Sequence, residues 1–98
     1  MKQTCYIAGP ISALQKNIYE ANFAAGKVEA FKLGYVPISP LDLQHSKDAS
    51  WKDCMKTDIK KMLECDAVYA LKGWHKSQGA SIEIHLAGLL QISIIFQP

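Results

Sequence analysis

Short apolar runs alternate along the chain with longer segments in which apolar residues recur at helical spacing. The four runs cover residues 4–8, 35–38, 67–71 and 92–96. Each run is short and β-prone, which is typical of a buried strand. The segments between them start near Asn17, Ser50 and Gly79. The order β-α-β-α-β-α-β predicts an α/β fold of three layers, flavodoxin- or Rossmann-like, in which a parallel four-stranded sheet carries helices on both faces.

Polar residues and a proline mark the predicted ends of these elements. Asn17 and Glu20 have the spacing of a capping box for the first helix, and Ser50 and Asp53 repeat that spacing at the second. Side chains at such positions can bond the free N–H groups of a first helical turn. Pro37 has no backbone N–H, so the second strand is expected at an edge of the sheet.

Length and composition narrow the class of protein. With 98 residues, of which 49% are hydrophobic and 20% charged, the chain is expected to form a single domain over residues 1–98. A formal net charge of +2 is too small to predict binding to a nucleic acid polymer or to a membrane. A domain of this size buries a modest share of its surface, and its third helix is apolar almost all round. These two features predict a homodimer or a higher homo-oligomer.

The cysteine pattern and the longest apolar stretch predict a cytoplasmic protein. Cys5, Cys54 and Cys65 are odd in number and lack CxxC spacing, so we interpret them as small buried hydrophobic residues in a reducing compartment. The three histidines lie in different predicted elements, which argues against a metal site. Residues 87–96 are too short to span a bilayer, and the N-terminus lacks the pattern of a signal peptide.

A sheet of this kind binds ligands beyond the carboxyl ends of its strands, at the point where the strand order reverses. Loops 9–16, 39–50 and 72–78 are expected to meet there. Tyr6 lies near the carboxyl end of the first strand, so its hydroxyl could reach the same cleft.

Two of these loops contain residues that could offer backbone N–H groups to an anion, although a tight turn explains each of them as well. Trp74 could stack on a planar ligand or simply pack against its neighbours. The candidate binding residues are Gly9, Pro10, Ser12, Trp74, Ser77 and Gly79.

Two acids fall where a plain core would have apolar residues. The apolar stripe predicted for the second helix consists of Trp51, Met55, Ile59, Met62 and Leu63. Asp58 follows Met55 by three residues and precedes Met62 by four, which puts it on or beside this inward face. Glu83 lies near the start of the apolar third helix. A buried carboxylate must have a partner or a function. The alternatives are that Asp58 sits at a solvated edge and that Glu83 is an ordinary acid near a helix N-terminus.

Taken together, these segments resemble the nucleoside 2-deoxyribosyltransferase superfamily over nearly the whole chain. The similar segments are residues 6–12 (YIAGPIS), 55–59 (MKTDI), 63–68 (LECDAV) and 73–83 (GWHKSQGASIE). The last of them contains the Ser-x-Gly-x-x-x-Glu signature as Ser77, Gly79 and Glu83. The chain is most similar to a branch of short bacterial and phage proteins, and it also resembles the 2′-deoxynucleoside 5′-phosphate N-hydrolases.

The resemblance implies a role for each matching residue. Glu83 would be the nucleophile that attacks the sugar C1′, Asp58 would help the base to leave, and Tyr6 would lie beside the nucleophile. Ser77 and Gly79 would hold a 5′-phosphate, and Gly9 would let the substrate approach the first loop. Some nucleotide-hydrolysing relatives carry an arginine in that loop, whereas residues 11–15 contain none, so Lys16 or Lys76 would have to replace it.

The activity expected from this resemblance is cleavage or base exchange at the N-glycosidic bond of a (deoxy)nucleoside or its 5′-monophosphate. Such chemistry uses two carboxylates and needs no cofactor or metal. The alternatives are a non-catalytic module that binds or senses nucleotides in the same cleft and a structural subunit without a ligand.

Overall fold

Four strands and three helices alternate along the chain in the predicted order. The computed structural model describes residues 2–98. The elements are β1 (Thr4–Ala8), α1 (Lys16–Lys32), β2 (Val36–Ile38), α2 (Trp51–Leu63), β3 (Ala67–Ala70), α3 (Gln78–Leu89) and β4 (Ser93–Phe96). Single 3₁₀ turns follow β2, at Pro40–Asp42, and β3, at Trp74–Lys76.

The strands form one parallel sheet in the order β2-β1-β3-β4. Tyr6 pairs with Val68 and Ala8 with Ala70 at the centre of the sheet. The chain moves to one side from β1 to β2 and to the other side from β3 to β4, so the strand order reverses between β1 and β3. The carboxyl ends of these two central strands are therefore the place where a ligand is expected. The edge position predicted for the strand that contains Pro37 is confirmed.

Helices cover both faces of the sheet, which confirms the three-layer α/β fold. On one face, α1 packs against every second residue of β1 and β3, and together they form a buried cluster. Its buried members are Cys5, Ile7, Phe23, Ala30, Ala67, Tyr69 and Leu71. On the other face, α2 and α3 pack on the remaining positions. The members there are Tyr6, Ala8, Met62, Cys65, Val68, Ala70, Ile84 and Ala87. Because neighbouring strand residues point to opposite faces, Tyr6 reaches the α2–α3 side and Ile7 the α1 side.

One of the two predicted helix starts is confirmed and the other is wrong. The Ser50 hydroxyl accepts the Asp53 N–H, and the Asp53 carboxylate accepts the Ser50 N–H, as a capping box requires. Asn17 lies inside α1, which begins at Lys16 after Gln15 and has no side-chain cap. The turn at residues 11–14 delivers the backbone carbonyl of Gln15 to the N–H groups of the first helical turn, so no Asn17 cap forms.

Helix α3 has apolar residues on its inner and its outer side. Ala80, Ile84 and Ala87 are buried, whereas Ile82 and Leu89 are exposed. The homo-oligomer expected from this helix stays a prediction. Within residues 2–98, no helix combines the length and the apolar character needed to cross a membrane.

Candidate active site

A cavity of about 550 Å³ opens where the carboxyl ends of the central strands meet the loops that follow them. Its lining comes from the loops after β1, β2 and β3 and from the first two turns of α2 and α3. It therefore occupies the crevice at which the strand order reverses. Six predicted site residues line it, namely Gly9, Ser12, Asp58, Ser77, Gly79 and Glu83.

Glu83 lies at the inner end of this cavity and is held by Tyr6. Its residue surface is 5% exposed, and the fully buried Tyr6 donates a hydrogen bond of 2.6 Å from Oη to Glu83 Oε2. The bond joins β1 to the second turn of α3. A phenol that is fixed by the sheet therefore sets the position of the carboxylate on the helix.

Burial, and to a smaller extent the negative charge of Asp58, raises the pKa of the Glu83 carboxyl to about 7, while the hydrogen bond from Tyr6 acts in the opposite direction. Burial, together with the charge of Glu83, also raises the pKa of the Tyr6 phenol. Tyr6 is therefore a neutral donor at physiological pH, while Glu83 passes between its neutral and its ionised form near pH 7.

Asp58 lies on the buried face of α2 and forms a pair with His45. Asp58 Oδ1 is 2.8 Å from His45 Nε2. Burial raises the pKa of the Asp58 carboxyl, and the hydrogen bond and charge of His45 act in the opposite direction. The interpretation in which Asp58 lies at a solvated edge is therefore wrong.

The inward face of α2 is rotated from the predicted one. Its buried residues are Met55, Asp58 and Met62, whereas Trp51 and Leu63, which continue the apolar spacing in the sequence, are about half exposed. The face is set by contact with α3 and the sheet, and Asp58 can lie on it because its Oδ1 is paired with His45 Nε2.

The first turn of α3 contributes polar groups to the same cavity. Ser77 caps the helix, since its Oγ accepts the Ala80 N–H at 3.2 Å. Lys76 and Gln78 flank this cap and line the cavity. The remaining N–H groups of a first helical turn, together with a lysine, make a suitable environment for an anion.

The two predicted glycines line the cavity, but their missing side chains make room for the protein itself. A Cβ on Gly9 would lie 2.6 Å from Leu71 Cδ1. A Cβ on Gly79 would lie 3.0 Å from Met55 Sδ. Close packing of β1 against Leu71 and of α3 against α2 therefore explains both glycines without a ligand.

Pro10 and Trp74 were expected in the site and do not line the cavity. Trp74 packs against the cluster of buried residues on the α2–α3 face of the sheet. Its ring centroid lies 6.0 Å from that of Phe96. The turn after β3 bends at Gly73, which has a φ of +82°, and a Cβ there would lie 3.6 Å from Pro10 Cγ. The structure therefore does not bring Pro10 and Trp74 into the cavity with the other predicted binding residues, and for Trp74 it agrees with the alternative of packing against its neighbours.

The family described as Domain of unknown function (DUF4406) matches residues 3–96. The chain belongs to this family. No curated protein matches the sequence. The resemblance to the nucleoside 2-deoxyribosyltransferase superfamily stays a prediction.

The fold of this DUF4406 chain is similar to the crystal structure of a conserved protein from Enterococcus faecalis V583. The TM-score is 0.71 and the sequence identity is 21%, over 98% of this chain and 63% of that chain. The chain therefore spans less than two thirds of that protein. A likeness at this level of identity establishes the fold alone.

Sequence reasoning missed three residues of this DUF4406 chain that line the cavity, namely His45, Trp51 and Cys54. His45 was treated as an isolated histidine, although it lies in one of the three loops expected at the cleft. Trp51 was assigned to the core of α2, but it lines the cavity. Cys54, which was expected to be buried, is partly exposed and also lines it. Their position in the sequence could have identified them as cavity residues, because each lies in or just after the loop that follows β2.

Proposed function

We propose that the protein is a cytoplasmic enzyme that cleaves or exchanges the N-glycosidic bond of a (deoxy)nucleoside or its 5′-monophosphate, with Glu83 as nucleophile. The observation that carries the proposal is the buried Glu83 carboxylate, hydrogen-bonded by Tyr6 in a cavity that it shares with Asp58. The resemblance of residues 6–12 and 73–83 to the transferase superfamily supports the same reading.

In the first step, a carboxylate oxygen of Glu83 forms a bond to C1′ of the sugar while the bond from C1′ to the base nitrogen breaks. The electron pair of the broken bond leaves with the base, which takes up a proton. In the second step, water or a second base attacks C1′ while the bond from C1′ to Glu83 breaks and frees its carboxylate, and the proton of the attacking water or base returns to the Asp58–His45 pair. Water gives hydrolysis, and a second base gives exchange.

The surroundings of Glu83 suit this role. Positive charge develops on C1′ and the ring oxygen as the bond breaks, and a carboxylate held beside the sugar stabilises it. The hydrogen bond from Tyr6 fixes the carboxylate on a rigid helix, so little reorganisation is needed when the charge appears. Because burial brings the pKa of Glu83 to about 7, the reactive ionised form grows with pH across neutrality.

The pair formed by Asp58 and His45 acts as the general acid that assists the departing base. A base leaves more readily when its nitrogen receives a proton or a hydrogen bond. Asp58 and His45 both line the cavity, and their atoms lie 2.8 Å apart. A proton shared in this pair is available to the departing base on the side of the cavity formed by α2.

The size and lining of the cavity fit a nucleoside or a nucleoside monophosphate. Its volume of about 550 Å³ lies within the range of small-molecule sites. Apolar side chains from the loop after β2 and from α2 can take the base. Lys76 and the first turn of α3 can take an anionic 5′ group, which compensates for the missing arginine of the first loop.

The proposal is tested by incubating the pure protein with a panel of nucleosides and 5′-monophosphates, with and without an acceptor base, and measuring released or exchanged base. Glu83→Gln is expected to abolish the activity. Glu29→Gln is the matched control, because Glu29 is exposed on α1, on the opposite face of the sheet. Turnover that survives Glu83→Gln, or no turnover with any substrate, would contradict the proposal. Calorimetry that finds tight nucleotide binding without turnover would favour the sensing module.

A further inference from the structure

Trp51 is a large aromatic side chain on the wall of the cavity, and about half of its surface is exposed. It is the first residue of α2. The other tryptophan, Trp74, packs beside Phe96 outside the cavity. A half-exposed indole that lines a ligand-sized cavity offers the kind of aromatic surface on which planar ring systems stack.

The position of Trp51 is fixed by local structure. The capping box of Ser50 and Asp53 determines where α2 begins, and Trp51 follows the cap directly. The Trp51 side chain approaches α3: its Cζ2 atom lies 4.0 Å from the position that a Cβ on Gly79 would occupy. The six-membered ring of the indole therefore borders the first turn of α3 on the wall of the cavity.

This wall is placed at a suitable distance from Glu83. Gly79 precedes Glu83 by one helical turn, which corresponds to about 6 Å along the axis of α3. A sugar whose C1′ contacts Glu83 can therefore direct its base up the cavity toward the indole. Leu41, Leu43 and Met55 line the cavity as well, so the surroundings of the base on this side are apolar.

We propose that Trp51 stacks on the base of the substrate and that this contact makes the enzyme prefer purines over pyrimidines. The inference rests on the proposed function and names the substrate class of that same cavity. Stacking grows with the overlapping ring area, so the larger purine gains more from the indole. An apolar wall distinguishes ring size but not the pattern of donors and acceptors on the edge of the base. Adenine and guanine substrates should therefore differ less from each other than from pyrimidines.

The first test measures binding without turnover. The protein has two tryptophans, so Trp74→Phe leaves Trp51 as the single indole reporter, and Glu83→Gln prevents cleavage. Titration of the double variant with a purine 2′-deoxynucleoside is expected to quench the fluorescence of Trp51. Free 2-deoxyribose, which has no ring to stack, is expected to leave the fluorescence unchanged.

The second test measures turnover in Trp51→Ala and Trp51→Phe, with Trp74→Phe as the matched control. Loss of a base–aromatic stack should raise KM for a purine substrate about 5- to 150-fold in Trp51→Ala, with a smaller effect on a pyrimidine substrate. Trp51→Phe should fall between Trp51→Ala and the unmodified protein. Because Trp51 is half exposed, its removal leaves the core intact, and circular dichroism verifies the fold.

The outcomes separate the two proposals. Quenching by the nucleoside in a protein that cleaves no glycoside supports the stacking and contradicts the enzymatic function. Turnover with an unchanged KM and an unchanged purine preference in Trp51→Ala overturns the stacking and leaves the function standing. If neither quenching nor turnover occurs, both proposals are wrong.

Discussion

The Tyr6 phenol donates a hydrogen bond of 2.6 Å to Glu83, and the two residues lie 77 positions apart in the sequence. The contact joins the central strand β1 to helix α3 on the face of the sheet that α2 and α3 cover. It gives a buried carboxylate one fixed partner while the cavity remains open to a ligand. The relationship has consequences for the pH dependence of activity and of stability.

Replacing Tyr6 with Phe removes the donor and leaves Glu83 in its buried position. The hydrogen bond from Tyr6 lowers the pKa of Glu83 against the effect of burial, so its loss should raise that pKa further above 7. The acid limb of the pH profile of kcat/KM is expected to move to higher pH by about one unit. Tyr69→Phe, a change on the opposite face of the sheet, serves as the control. An unchanged limb in Tyr6→Phe would show that this contact does not control the reactive carboxylate.

Glu83 should also make the fold less stable as pH rises. Its pKa is about 7 in the folded protein and 4.5 for an ordinary glutamate, so the folded state binds more protons than the unfolded state between these values. The contribution of Glu83 to the free energy of unfolding should therefore be fully present below pH 4.5 and be lost as pH rises through 7, a change of up to about 3 kcal/mol.

Urea denaturation at pH 5 and pH 7.5 measures that effect. Burial raises the pKa of Asp58 in the same direction, so the contribution of Glu83 is the difference between the unmodified protein and Glu83→Gln. The variant should lose less stability between the two pH values. Equal losses in both proteins would mean that Glu83 titrates normally.

Replacing His45 with Asn should reduce activity without unfolding the protein. Asp58 would lose the partner whose hydrogen bond and charge lower its pKa against burial, and proton delivery to the base would weaken. A general acid contributes roughly 100-fold or more, so kcat should fall by at least about 10-fold. His75→Asn provides the comparison, because His75 does not line the cavity. Equal activity in the two variants would remove His45 from the site.

Two alanine substitutions test whether packing explains Gly9. Gly9→Ala would place a Cβ 2.6 Å from Leu71 Cδ1 and 2.8 Å from Leu71 Cβ, and such overpacking costs about 1–3 kcal/mol. Gly88 lies inside α3, where an added Cβ would have its nearest contact at 3.8 Å from Ile94 Cδ1. Gly88→Ala should therefore be neutral or stabilise by up to about 1 kcal/mol. Thermal or urea denaturation measures both, and similar values for the two would contradict the packing argument.

The amino-acid sequence determined the architecture because its signals are local. Four apolar runs, the spacing of the helices and the Ser50–Asp53 cap each act within a few residues, and they were sufficient for a parallel sheet with helices on both faces. The edge position of Pro37 followed from one missing N–H. The failure at Asn17 was also local, since the backbone of Gln15 took the place of a side-chain cap.

Only the tertiary structure decided which side chains meet in the cavity. Helical spacing brought Asp58 near the inward face of α2 but could not supply His45 as its partner, because that contact depends on the path of the loop after β2. Spacing also could not tell that Trp51 would face a cavity while Trp74 packed beside Phe96. The resemblance implied that Tyr6 lies beside Glu83, but the burial of the carboxylate and the hydrogen bond of 2.6 Å between them depend on how α3 packs on the sheet, which a sequence pattern does not encode.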